Sequence, residues 1–140
     1  MVVLDTNVIS EMTRQAPSPA VRAWLNAQPF ESLFITSITL AEVRFGIMTM
    51  PFGKRRDSLA ASLDRTERLY AGRILPFDEE AAKRYAELAT LARARGRRFP
   101  KPDGYIGAIA ASRNFIIATR DMSPFRAAGL NVIVPWDAAH

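Results

Sequence analysis

Four acidic residues, Asp5, Glu42, Asp103 and Asp121, sit beside the elements that could carry them to one place. Asp5 ends the apolar run Val2 to Leu4 in "VVLDTN", and Asp121 directly follows "FIIATR". Glu42 lies about one turn into the helix expected after a second apolar run, and Asp103 opens "DGYIGAIAASRN". Taken singly, each has a structural use. Asp5, Asp103 and Asp121 suit helix caps or turns. Glu42 shares a helix face with Thr39, Gly46 and Thr49 that reads as a solvent stripe. Taken together they point to a site. Thr6, Asn7, Ser37 and Thr119 flank them with the hydroxyl and amide groups that support metal-holding carboxylates.

Charge decides what such a site needs. Two like charges about 4 Å apart repel by roughly 4 kcal/mol at an effective dielectric of about 20. Four ionised carboxylates at one edge would raise one another's pKa or push apart. A hard divalent cation removes that cost, and Mg²⁺ or Mn²⁺ suits carboxylate and water ligands. Composition excludes the alternatives. The chain has no cysteine, so thiolate zinc sites, disulfides and cysteine nucleophiles are absent. Its one histidine is His140, the last residue, so a histidine triad is not expected.

The elements that must position these acids alternate. Val2 to Leu4, "SLFIT" (32–36), "RILPF" (73–77), "FIIAT" (115–119) and "LNVIV" (130–134) read as short strands. Between them, Ser18 and Pro19 open one helix, and Ser37 is expected to cap another with Ile38, Ala41, Phe45 and Met48 as its core face. Helices follow from Lys54 to Tyr70 and from Asp78 to about Arg95, the latter buried along Ala81, Tyr85, Leu88 and Ala92. Glu80 and Arg84 are spaced to pair across one turn. Residues 103–114 form a helix with one face of very small residues: Gly104, Gly107, Ala108 and Ala111. A mid-helix glycine costs about 1 kcal/mol against alanine, so close packing is expected there.

This alternation predicts an α/β fold: one three-layer domain over residues 1–140, with a mostly parallel sheet of four or five strands. In such sheets ligands bind beyond the carboxyl ends of the strands. Asp5 and Asp121 reach that edge by pattern; pattern alone does not bring Asp103 there. The sequence shows no apolar stretch long enough to cross a bilayer and no basic leader, which predicts a cytoplasmic protein.

The chain carries a net charge of +5. "RARGRRFPK" (93–101) holds much of it and runs directly up to Asp103. Arg95, Arg97, Arg98 and Lys101 are therefore expected to contact a phosphate backbone.

Four stretches, "VVLDTNVISE", "TSITLAEVRFG", "PDGYIGAIAAS" and "IATRD", resemble in order and spacing the PIN-domain ribonucleases. More narrowly they resemble the VapC-type toxins of toxin–antitoxin pairs, the FitB subgroup above all. The resemblance runs from residue 1 to "VPW" at 134–136. It implies a PIN fold and a ribonuclease with Asp5, Glu42, Asp103 and Asp121 as catalytic, metal-holding acids. Thr6, Asn7 and Thr119 take its polar supporting positions. Hydrolysis would leave a 5′-phosphate and a 3′-hydroxyl. The implied partners are RNA as substrate, a small VapB- or FitA-like antitoxin, DNA only through that antitoxin, and a second copy in a homodimer. Two departures stand out: "TRDMSPF" carries its acid earlier than many relatives do, and "KP" precedes Asp103 where small residues are usual.

Rival readings fit less well. A haloacid-dehalogenase-type phosphatase needs a second aspartate where Asn7 stands, and no G-x-G-x-x-G follows the first strand. A PIN-like binding or regulatory module without turnover is the alternative that needs no convergence of the acids.

Overall fold

Val3 is buried against one face of the sheet, while Val2 and Leu4 pack into the core on the other. That two-sided burial explains an unbroken apolar run with no alternation. The same holds along the other central strands of the computed structural model, which describes residues 1–137. His140 lies outside the described residues.

The strands are β1 (Val2–Leu4), β2 (Leu33–Thr36), β3 (Ile74–Leu75), β4 (Ile116–Ala118) and β5 (Val132–Ile133). They form one sheet in the order β3-β2-β1-β4-β5, with every pairing parallel. Among the described residues seven α-helices flank it: α1 (Thr6–Met12), α2 (Pro19–Ala27), α3 (Ser37–Met48), α4 (Lys54–Leu69), α5 (Glu79–Ala94), α6 (Asp103–Ser112) and α7 (Ser123–Ala127). One core joins Val3 and Ile117 to Leu88, Ile106, Ile109 and Phe125 of α5, α6 and α7. The other joins Leu4 and Ile35 to Val8, Ile9, Val21 and Trp24 of α1 and α2. Among the described residues no helix is long and apolar enough to cross a membrane.

The strand order carries a functional consequence. The chain adds β2 and β3 on one side of β1, then returns to add β4 and β5 on the other. The reversal falls between β1 and β4, which is where open parallel sheets form their ligand crevice. Asp5 follows β1 and Asp121 follows β4, so they flank that point.

Most expected caps stand. Ser18 Oγ accepts from Val21 N–H at 3.4 Å, and Asp78 Oδ1 accepts from Ala81 N–H at 2.9 Å. Gly96 and Gly129 follow their helices with φ of +67° and +80°, a backbone region that favours glycine.

Four readings of the sequence require correction. The helix α1 was not foreseen: "TNVISEM" buries Val8, Ile9 and Glu11 and is too short to show helical periodicity. Thr36, not Ser37, caps α3; its Oγ1 accepts from Thr39 N–H at 3.0 Å. The face of α3 is also rotated from its expected setting. Phe45 and Met48 are 70% and 63% exposed, whereas Thr39 and Ile47 are buried. The first turn fixes this rotation, because the buried Thr39 hydroxyl finds partners in Thr36 and Thr6. Glu80 pairs with Lys83 and Arg84 with Glu87, each three residues apart rather than with each other.

Candidate active site

Asp5 caps α1, and its position follows from its place one residue past a buried strand. Its carboxylate is 3% exposed and satisfied from both sides. Thr6 N–H donates to Oδ1 at 2.7 Å, and the Thr119 hydroxyl donates to Oδ2 at 2.7 Å. Thr119 comes from the end of β4, so this bond ties the two strands together across the switch point. Asn7 completes the brace. Its Nδ2 donates to Thr119 Oγ1 at 3.2 Å, and its Oδ1 accepts from Arg120 N–H at 3.1 Å.

A second hydroxyl chain reaches Glu42. Thr6 Oγ1 donates to Glu42 Oε1 at 2.6 Å and lies 3.2 Å from the buried Thr39 hydroxyl, which in turn lies 3.3 Å from Thr36 Oγ1. Thr36 and Thr39 are supporting residues that the sequence did not disclose. A threonine on an amphipathic helix reads as solvent-facing unless its partner on another element is known. Ser37, expected among the supporting groups, points elsewhere: it is exposed, and no described hydrogen bond engages its hydroxyl.

Asp103 arrives from a third direction. As the first residue of α6, it sits at the end of a helix that runs back across the sheet to feed β4. Such a helix starts at the carboxyl edge, whatever its length. Asp103 therefore lines the same cleft as Asp5, a hollow of about 660 Å³ that Asn7, Arg14, Arg55 and Arg120 also line. Asp103 further lines an adjoining hollow of about 270 Å³ with Asp121, Arg97 and Arg98. Asp121 is exposed, and Ser123 N–H donates to its Oδ1 at 3.1 Å.

The electrostatics mark these acids as one group. Burial pushes Asp5 above the ordinary carboxylate range, as do the charges of Glu42 and Asp121, against the bonds from Thr119 and Thr6. Burial raises Asp103 to about 6, and the charges of Asp5 and Asp121 add to it. The structure thus brings Asp5 and Asp103 into one cleft, sets Asp121 in the next, and connects Glu42 through Thr6. All four do not share one hollow.

The donor set can be tested against a cation. Among the described residues no three acidic or histidine side chains converge into a ready cage. Zinc and calcium need such a cage. Mg²⁺ does not, since it keeps several waters and is held through one or two carboxylates. The oxygen-only pair Asp5 and Asp103, each destabilised as an anion where it stands, fits that requirement.

Of the expected phosphate contacts, Arg97 and Arg98 line the hollow with Asp121, and Arg95 lies beside it in a further hollow with Arg97. Lys101 turns away, its ammonium 5.7 Å from the centre of the Tyr105 ring. Arg14, Arg55 and Arg120 line the main cleft without having been foreseen, because they are far apart in sequence.

The family model for the PIN domain matches residues 2–130. The chain belongs to the PIN-domain family. Among PIN-domain relatives, it is 49% identical over 140 residues to a protein of Sinorhizobium fredii named VapC ribonuclease Y4jK, covering 99% of this chain and 100% of that one. It is 42% identical over 137 residues to Toxin FitB of Neisseria gonorrhoeae, covering 97% and 99%. Its fold is similar to a chain in the structure of FitAB bound to an IR36 DNA fragment, with a TM-score of 0.93, 40% identity and coverage of 100% and 99%.

Proposed function

We propose that this PIN domain is a metal-dependent ribonuclease that acts as the toxin of a toxin–antitoxin pair. The observation that carries this reading is the shared cleft of Asp5 and Asp103, braced by Thr119 and Thr6. Its relatives' names add the substrate class and the biological setting.

In this reading Asp5 and Asp103 hold Mg²⁺ or Mn²⁺. When bound, the cation would lower the pKa of a water and neutralise charge on the phosphate. The chain's own groups do the rest. Thr119 and Asn7 keep Asp5 in one rotamer, so the site needs little rearrangement to accept its ligand. Glu42 fixes the Thr6 hydroxyl at the start of α1, and Asp121 aligns the attacking water from the adjoining hollow. A binding module without turnover has no use for carboxylates placed where they repel.

The partners are RNA, an antitoxin that itself contacts DNA, and a second copy of this chain. FitAB bound to DNA is the precedent for the second of these. Phe45, Met48 and Phe52, which are 70%, 63% and 89% exposed, offer the apolar surface for the third.

The test is cleavage of RNA by the purified chain, free of antitoxin, with Mg²⁺ or Mn²⁺ or with chelator. The same preparation is expected to elute as a dimer on sizing. Activity should require metal, and kcat/KM should fall by more than about 100-fold in Asp5→Asn and Asp103→Asn, beyond the loss of a supporting partner. Equal cleavage by the variants or in chelator would refute the assignment.

A further inference from the structure

We propose that a groove running from Asp103 past Arg97 to Arg126 holds the backbone phosphates of single-stranded RNA on one side of the bond to be cut. This rests on the ribonuclease reading for the reacting end of the groove, and on separate observations for its length.

Three hollows join end to end. The cleft of Asp5 and Asp103 shares Asp103 with the hollow of Asp121, Arg97 and Arg98. That hollow shares Arg97, Ser123 and Ala127 with a third, of about 420 Å³, completed by Arg95 and Arg126. The charge changes along this path. Carboxylates stand at its head, and no acid lines its far end.

The arginines of the groove beyond Asp103 are also uncommitted. Arg14, Arg44 and Arg84 each pair with a glutamate, but Arg95, Arg97, Arg98 and Arg126 join no ion pair among the described residues. Arg95 is nevertheless held in place. Its Nη1 donates to the Ala127 carbonyl at 3.3 Å, which joins the end of α5 to the end of α7. A guanidinium has five N–H donors, so most remain for a ligand. The lining residues between the arginines, Ser123 and Ala127, are small and leave the floor open.

A positive groove that follows a backbone without reading base edges is how single strands are bound without sequence preference. Continuity with the carboxylate cleft selects a polymer as the occupant. A chain of phosphates can place one group at the acids while its neighbours lie among the arginines. Arg126 is the residue this adds, since it lies 28 positions beyond Arg98 in the chain.

The experiment uses the full chain and a fluorescein-labelled single-stranded RNA in chelator, with anisotropy read across a salt series. Arg97→Ala and Arg126→Ala should each weaken binding by about 3- to 10-fold. Each should also reduce the log–log salt slope by about 0.7, the value for one phosphate contact on a single strand. Arg126→Lys should restore most of the affinity, and Arg113→Ala, at the opposite end of α6, should match the wild type. With Mg²⁺, KM should rise by the same factor at unchanged kcat. Variants at Arg97 and Arg126 that behave like Arg113→Ala in affinity and slope would overturn the groove while leaving cleavage intact. Groove-dependent binding of polyglutamate, with none of RNA, would overturn it too. RNA binding that depends on the groove, in a protein that cuts nothing, would support the groove and sink the ribonuclease reading instead.

Discussion

Asp5 and Asp103 face the same cleft from unlike surroundings, and burial raises both carboxyls above their ordinary value. Two donors hold Asp5, whereas no described group donates to the carboxylate of Asp103. Asp103 therefore has no donor to offset its burial and the added charges of Asp5 and Asp121, and its pKa lies at about 6 against an ordinary 3.8. A folded-state pKa above the unfolded one means that ionisation favours unfolding. The penalty is absent below about pH 4, grows as pH rises through about 6, and is complete above it. In chelator, Asp103→Asn should thus be more stable than the wild type at pH 7 by about 1–2 kcal/mol, allowing for partial exposure. The two should converge at pH 4. Thermal melts at both pH values check this, and a difference that does not change with pH would contradict it. At this scale the sequence was readable where a residue's neighbours in the chain are also its neighbours in space. Asp5 and Thr6 meet that condition. Thr39 and Arg120 do not, because Thr6 and Asn7, which they meet, come from other elements.

The element that matters most is α6, which carries Asp103 on its first turn. Its small-residue face was legible, and the structure shows its reason. A Cβ on Gly104 would lie 2.9 Å from Tyr85 Cε1 of α5 and 3.2 Å from the Phe99 carbonyl, and one on Gly107 would lie 3.1 Å from Leu130 Cδ1. The close approach is made to residues of this chain. Gly104→Ala should cost about 1–2 kcal/mol, as overpacking outweighs the gain in helix propensity. It should also weaken metal binding, since Asp103 is the adjacent residue. Gly46→Ala in α3 meets nothing within 4 Å and should stabilise by up to about 1 kcal/mol. Melting curves of the two variants separate these outcomes; equal shifts would show that α6 is not tightly packed. The rotation of α3 was beyond reach of periodicity. Ile38, Phe45 and Met48 satisfy a helical stripe as well as Thr39, Val43 and Ile47 do, and only the bonds from Thr36 and Thr6 choose between them.

For the whole molecule, alternation of strands and helices was enough to give a parallel sheet, because βαβ connections allow little else. Strand order was not readable. Five short apolar runs can be ordered in several ways, and the observed β3-β2-β1-β4-β5 puts the ends of β1 and β4 side by side at a reversal. That order turns separate acids into a site and leads its arginine-lined groove away on one side. On the proposed reading, Asp5 and Asp103 jointly hold one divalent cation in their cleft. Calorimetric titration of Mn²⁺ into the purified chain at about pH 7.5, beside Asp5→Asn and Asp103→Asn, tests it most directly. Binding is expected in the wild type, at least about tenfold weaker in each variant and weaker again as the pH falls toward 6. Equal binding in all three proteins, or no binding in the wild type, would contradict it.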